Sequence, residues 1–301
     1  DRVHFIDSQN GWAVGNSPGI QGLDPDRFRG AILHTANGGQ TWEQQGQELY
    51  EGKFREFYAV HFLDDRTGWA LAARKSPSGN IFLAHTADGG THWSWVDTNI
   101  KETISIGSAL VQGALAFSDA QHGWAAGGLG TIIHTADGGK TWEKQELTCD
   151  WPECPKRLFA LCAVNDQVTW ISGEGLYYTT NGGFPWKQQM DFTYPDDIHD
   201  IQFLDDQVGW LAGGAGTVMY TDDGGNSWHP VGASESDYLL GLSFVNPQLG
   251  WAVGEFGVIL RIAAHQFPPP QLEIQSGGPR RPGPGGAGGA PPGGGVMVIV
   301  Q

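Results

Sequence analysis

The sequence predicts an all-β fold, a β-propeller of six four-stranded antiparallel blades, with seven as the alternative count. Three observations predict it: a Gly-Trp pair that returns at blade-like spacing, an eight-residue turn motif in five copies, and a chain rich in both glycine and tryptophan. The 301 residues include 46 Gly and 13 Trp, a pairing that suggests many tight turns between strands anchored by large aromatic side chains. A helical composition is absent.

The Gly-Trp pair stands at Gly11-Trp12, Gly68-Trp69, Gly123-Trp124, Gly209-Trp210 and Gly250-Trp251, with Thr169-Trp170 in the matching place, at spacings of 57, 55, 46, 40 and 41 residues. Periods of this size match a four-stranded blade. The third copy shows the unit most plainly. Ala114 to Phe117 reads as a first strand, Ser118 to His122 as a turn, Gly123 to Gly127 as a second strand and Thr131 to His134 as a third. An octet, Thr135 to Trp142, then turns the chain into the fourth. It recurs as Thr35 to Trp42, Thr86 to Trp93, Thr179 to Trp186 and Thr221 to Trp228. Within it, Asp or Asn (Asn37, Asp88, Asp137, Asn181, Asp223) accepts hydrogen bonds from turn amides, and two glycines supply positive φ. The closing Trp (Trp42, Trp93, Trp142, Trp186, Trp228) packs back on the hairpin. His34, His85 and His134 share one repeat position with Tyr178, Tyr220 and Arg261, which marks them as packed repeat residues rather than ligands.

This octet resembles the Asp-box, or bacterial-neuraminidase (BNR) repeat. The wider unit, residues 3 to about 264, is similar to the propellers of the photosystem II assembly-factor family and its bacterial relatives. The resemblance implies a non-catalytic interaction module, exported or lumenal. Two departures keep that family's specific partner from being carried over: its propellers look seven-bladed and basic on one surface, whereas this chain counts six and is acidic. Sialidases share the box and use an arginine triad, a Tyr and Glu nucleophilic pair and an Asp acid. Here no Arg-Ile-Pro stands near the start, and the body arginines (Arg2, Arg27, Arg29, Arg55, Arg66, Arg74, Arg157, Arg261) are not expected to recur on inner strands. No enzyme activity, catalytic residue or cofactor is therefore expected.

The net charge is -16. Residues 1 to 271 hold 15 Lys and Arg against 32 Asp and Glu, and such a body repels phosphate backbones, which argues against nucleic acid as a partner. No apolar run reaches the roughly 20 residues that cross a bilayer. The chain opens at Asp1 without a signal-peptide pattern, which fits a processed, exported chain and equally a trimmed one. Export would be extracellular, cell-surface or periplasmic, with a lumenal site as the alternative. Under export, Cys149 and Cys154 are a possible disulfide and Cys162 a buried small hydrophobe. One Cys pair without a second Cys or His pair makes no metal site, so none is expected.

The first-to-second turns and the boxes are short and lie on one face of an up-and-down blade. The insertions, residues 16–29, 74–80, 97–112 and 146–156, fall on the other face. Loops on a rigid scaffold commonly carry function, so the long-loop face is the candidate binding face, with Arg27, Arg29, Lys101 and Trp151 as contacts. Trp151 is the best anchor because no repeat position explains it; its duller role is to cover the Cys149 to Cys154 loop.

The organisation read from the sequence is a propeller over 1–271, a Gly/Pro-rich linker over 272–295 and a strand over 296–301. The sixth repeat lacks a box, so its fourth strand must come from Leu272 to Gln275, from the C-terminal strand of the same chain, or from a neighbour. The run Val296, Met297, Val298, Ile299, Val300 is an apolar strand sequence, and Arg280 and Arg281 precede it as contacts for an acidic body. The leading expectation is a scaffold that self-assembles into an oligomer or filament through this strand. The alternative is an assembly factor or protein-binding module using the long-loop face, and a sialidase-type glycan hydrolase ranks third.

Overall fold

The computed structural model describes residues 2–17, 29–50, 56–73, 81–98, 114–127, 130–147, 157–191, 197–231, 238–263 and 271–273. Its strands form six four-stranded antiparallel sheets, the blades of a six-bladed β-propeller. Blade one holds β1 (Arg2–Phe5), β2 (Gly11–Ser17), β3 (Arg29–Thr35) and β4 (Glu43–Gln45). Blade two holds β5 (Glu56–Phe62), β6 (Gly68–Ala73), β7 (Ile81–Thr86) and β8 (Ser94–Val96). Blade three holds β9 (Ala114–Phe117), β10 (Gly123–Ala126), β11 (Ile132–Thr135) and β12 (Glu143–Gln145). Blade four holds β13 (Leu158–Ala163), β14 (Val168–Gly173), β15 (Gly175–Thr180) and β16 (Lys187–Asp191). Blade five holds β17 (Ile198–Phe203), β18 (Gly209–Gly213), β19 (Val218–Thr221) and β20 (His229–Val231). Blade six holds β21 (Leu239–Asn246), β22 (Leu249–Gly254), β23 (Ile259–Ala263) and β24 (Gln271–Glu273). The chain divides into two compact units, Asp1–Ile201 and Gln202–Gln301, with the boundary inside β17.

The Gly-Trp pair is a two-sided joint. Within a blade, the glycine lies under the ring of the Phe that ends the first strand: a Cβ on Gly68 would meet Phe62 at 2.5 Å, and one on Gly250 would meet Phe244 at 2.4 Å. Between blades, the Trp stacks on the next blade's Phe. Ring centroids are 3.5 Å apart for Trp12 and Phe62, 3.7 Å for Trp69 and Phe117, and 4.2 Å for Trp210 and Phe244. The same phenyl rings take the box tryptophans edge-on, Trp93 against Phe62 at 5.8 Å and Trp142 against Phe117 at 6.0 Å. The stacked pairs are close to face to face and contribute through the apolar area they bury, whereas the edge-on contacts have the T-shaped geometry that aromatic pairs prefer, worth about 0.5–1.5 kcal/mol beyond area burial. Blade four replaces both partners at once, pairing Ala163 with Thr169 where other blades pair Phe with Gly.

Polar latches reinforce the joint. His4 Nε2 lies 2.9 Å from the Phe62 carbonyl, and in the second unit Gln202 bonds both the N–H and the carbonyl of Phe244 at 2.8 and 3.2 Å. The ends of β4 and β12 reach over likewise: Gln45 donates to the Gly89 carbonyl and Gln145 to that of Gly182.

Two expectations are settled or corrected. The fourth strand of blade six comes from the same chain, because Gln271, Leu272 and Glu273 pair with Ala263, Ile262 and Arg261. Cys162 is half-buried rather than buried. It pairs with Trp170 at the register where His4 faces Trp12 and His61 faces Trp69, a place that blades one and two fill with histidine and blade three with Ala116. Cys149, Cys154, Arg280, Arg281 and Val296 to Val300 lie outside the described residues.

Candidate binding site at the strand starts

The boxes build turns. In all five, the buried Thr at or next to the end of the third strand accepts from a box glycine N–H and donates to the Asp or Asn, as in Thr135 to Asp137 at 2.8 Å and Gly139 to Thr135 at 2.9 Å. The acid then accepts from the backbone N–H four residues on, at 2.9 Å for Asn37, Asp88, Asp137 and Asp223. In blade four that residue is Pro185, which has no N–H, and Asn181 instead donates to the Phe184 carbonyl. Hydrogen bonds from Thr141 hold the Asp137 carboxyl down to about 2, and those from His92 do the same for Asp88. All these acceptor positions are consumed by the turn itself. The shared third-strand position also packs: His34, His85 and His134 lie over Trp12, Trp69 and Trp124 at 4.7, 5.0 and 4.7 Å, and burial pushes each imidazole below its ordinary value.

Of the contacts expected on the long-loop face, Arg27, Lys101 and Trp151 lie outside the described residues, and Arg29 opens β3 at that end of blade one. A different cluster stands at the same end of the blades, at the starts of the first strands. β5 and β13 each carry a bulge there, at Tyr58 and Phe159, as β21 does at Leu240 in the second unit. A bulge takes a residue off the ladder and re-aims it. The freed Phe159 carbonyl accepts from the Arg2 guanidinium at 2.9 Å, and that guanidinium also meets Asp200 at 3.4 Å. Arg157, one residue before β13, pairs with Glu174 at 2.8 Å and with the buried Asp197 at 2.9 Å, and lies over the Phe159 ring at 5.6 Å. His199 packs against Phe159 with its ring tilted and 4.9 Å away, and its Nδ1 is buried without a hydrogen-bond partner among the described residues. Burial first, then the Arg157 and Arg2 charges, push His199 down to about 4, so it is neutral at physiological pH.

Arg2 opens β1 and Arg157 lies one residue before β13. Both belong to the first unit, and the fold gathers them with three carboxylates, one neutral imidazole and one aromatic face. Half-buried guanidiniums of this kind recognise carboxylates and peptide carbonyls. Their sequence signal is thin: Arg2 is the first residue of the first strand of repeat one and Arg157 the residue before that of repeat four, and the two are not at the same repeat position.

The fold and the boxes define the class, an Asp-box β-propeller. The profile of the family described as photosynthesis system II assembly factor YCF48 matches residues 98–196 and 187–263, more than half of the chain, and the chain belongs to this family. It is 26% identical to the photosystem II assembly protein Ycf48 of Thermosynechococcus vestitus, over 86% of this chain and 80% of that protein. It is 25% identical to the chloroplastic photosystem II stability/assembly factor HCF136 of Cyanidioschyzon merolae, over 85% of this chain and 69% of that one. Among solved structures, YCF48 bound to D1 peptide matches with a TM-score of 0.62 at 20% identity, covering 90% of this chain and 79% of that one. A GH74 xyloglucanase from Xanthomonas campestris matches at 0.57 and 12% identity, over 89% of this chain and 46% of that one. At these identities the structural likeness concerns the fold. No helix among the described residues is long and apolar enough to cross a membrane.

Proposed function

We propose that the chain is a non-catalytic protein-binding module that assists assembly of a membrane-protein complex, holding a peptide segment of its client at the Arg2 and Arg157 cluster. The observation that carries this reading is the gathering of two guanidiniums at the bulged Phe159, Arg2 on its carbonyl and Arg157 over its ring, beside a buried unsatisfied imidazole nitrogen, at the end of the blades that bears the long loops. An unsatisfied buried polar atom at such a cluster is a place for a ligand or a water. Family membership supports a client protein over a polymerising scaffold, and the relative described as bound to a D1 peptide supports a peptide as the ligand. The filament reading needed an unfilled strand in blade six, and β24 fills it. Two relatives are named lipoproteins, which supports an exported or lumenal site of action.

The test is binding of synthetic peptides tiling a D1 sequence, followed by fluorescence anisotropy, with wild type beside Arg2→Gln. A charge-assisted hydrogen bond contributes about 1.5–3 kcal/mol, so Arg2→Gln is expected to weaken the best peptide about tenfold or more while the far-ultraviolet circular dichroism stays that of wild type. Unchanged affinity in Arg2→Gln overturns this placement of the site, and absence of binding by every peptide overturns the choice of client.

A further inference from the structure

The phenyl ring of a regular joint is held from both sides. A Cβ on Gly68 would meet one face of Phe62 at 2.5 Å, and the indole of Trp12 stacks on the other at 3.5 Å with 9° between the planes. Phe117 stands the same way between Gly123, at 2.3 Å, and Trp69, at 3.7 Å. The ring therefore fills a slot one aromatic layer thick, between the glycine of its own blade and the indole of the blade before. His4 and His61 close these two slots by hydrogen bonding the carbonyls of Phe62 and Phe117.

The joint between blades three and four is built from other side chains. Trp124 lies in one buried cluster with Leu158, Ile171 and Trp186 of blade four, and Ala163 packs against that cluster in the place of the phenylalanine. Ala163 pairs with Thr169 in the place of the glycine, and Ala116, opposite Trp124, has a methyl group where His4 and His61 have imidazoles. The Thr169 side chain thus enters the slot from the glycine side. It returns about half of the atoms that a phenyl ring would contribute, and the room left over is on the order of the roughly 30 Å³ that one water takes up. Thr169 and Trp124 are both 0% exposed, and Thr169 Oγ1 has no hydrogen-bond partner. A buried hydroxyl in that state forfeits the hydrogen bonds it makes in water. Blade three adds His134 Nε2, also buried without a partner, on the strand face of Trp124 and with its ring 4.7 Å from the indole. The Trp124 N–H is unpartnered too, but so are those of Trp12 and Trp69, so the hydroxyl is what sets this joint apart.

We infer that the joint between blades three and four is a binding site for one ordered water, enclosed between Thr169 and Trp124, hydrogen bonded to Thr169 Oγ1 and standing where a phenyl ring stands in the regular joints. The ligand this slot takes is small, neutral and able both to donate and to accept. A buried water keeps about two to four polar partners. The Thr169 hydroxyl is the first, and His134 Nε2 and the Trp124 indole N–H are the candidates this joint supplies for the rest. The inference is independent of the client-binding reading.

Crystal structures of the full chain and of Thr169→Val test it, since valine keeps the shape of threonine and removes the hydroxyl. The wild-type density is expected to show one water about 2.8 Å from Thr169 Oγ1 on the Trp124 side, and that of Thr169→Val to show none there. A second variant, Ala163→Phe with Thr169→Gly, rebuilds the joint of the other blades. Its phenyl ring is expected to stack on Trp124 in place of the water, and its thermal midpoint to rise above that of wild type. A wild-type slot without water, its hydroxyl turned onto a backbone carbonyl, overturns the inference. So does a water that persists in Thr169→Val. A rebuilt joint whose phenyl ring stays outside the slot, or whose midpoint falls, shows that the slot has no room and overturns it as well.

Discussion

Gly123 lies directly beneath the ring of Phe117, so close that a Cβ on the glycine would stand 2.3 Å from the phenyl edge. The glycine is there for room. The same relationship recurs in blades one, two, five and six, and its absence from blade four coincides with the loss of the phenyl ring.

Gly123→Ala is therefore expected to destabilise the chain by about 1–3 kcal/mol, the usual cost of overpacking a core. Phe117→Ala alone leaves a cavity and is expected to cost about 3–5 kcal/mol. The double variant sets two small side chains opposite each other, as Ala163 and Thr169 stand in blade four, so its cost falls below the sum of the two. Urea denaturation of the four proteins checks this, and simple additivity counts against the joint.

Box acidity makes a second contrast. Asp137 acts through accepted hydrogen bonds from Thr135 and Thr141, and blades one and four use Asn at that position. Asp137→Asn is expected to stay within about 0.5 kcal/mol of wild type, whereas Asp137→Ala loses the acceptor and costs about 1 kcal/mol or more. Thermal unfolding distinguishes them.

The histidines make the fold acid-sensitive. Burial, then the neighbouring His4, push His61 down to about 3, against a weaker opposing hydrogen bond to the Phe117 carbonyl. A histidine depressed in the fold takes up its proton more readily when unfolded, so its stabilisation is complete above about pH 6.5 and is lost as pH falls from there toward 3. His4 and His199 act in the same direction. His61→Gln substitutes the side chain that already latches blades five and six. It is expected to flatten the pH dependence of unfolding free energy between pH 6.5 and 4 while keeping most of the stability at pH 7.5.

The ion-pair cluster predicts a coupling between two substitutions. Arg157 neutralises the buried Asp197 at 2.9 Å, and removing one partner of such a pair leaves an uncompensated charge, at about 3–5 kcal/mol. Arg157→Met is expected to lower the thermal midpoint markedly, and Arg157→Met with Asp197→Leu to recover much of it. A flat response in both proteins contradicts a buried pair.

The fold was legible because its information is local and repeated. The third repeat's strands were read to within a residue, since Gly123, Trp124 and the octet ending at Trp142 mark each turn by side-chain chemistry that acts over a few positions. The cluster was not legible for the converse reason. Arg2 meets Asp200 and Phe159 only because β1, β13 and β17 come together, and partners 157 and 198 residues apart leave no periodic trace. The bulge at Phe159 that frees its carbonyl shifts a register, and a register shift has no letter in the sequence.

Outside blade four, a blade carries its glycine for its own phenyl ring, and Trp12, Trp69 and Trp210 serve the next blade's, so the unit of inheritance and the unit of adhesion are offset by half a repeat. A duplicated stretch beginning anywhere in the period arrives with both halves of the joint already matched. Blade number in such a chain is a countable trait that recombination can raise or lower by one without any new interface having to be invented, while a change such as the Ala163 and Thr169 pair must spread as two coupled substitutions in a single copy.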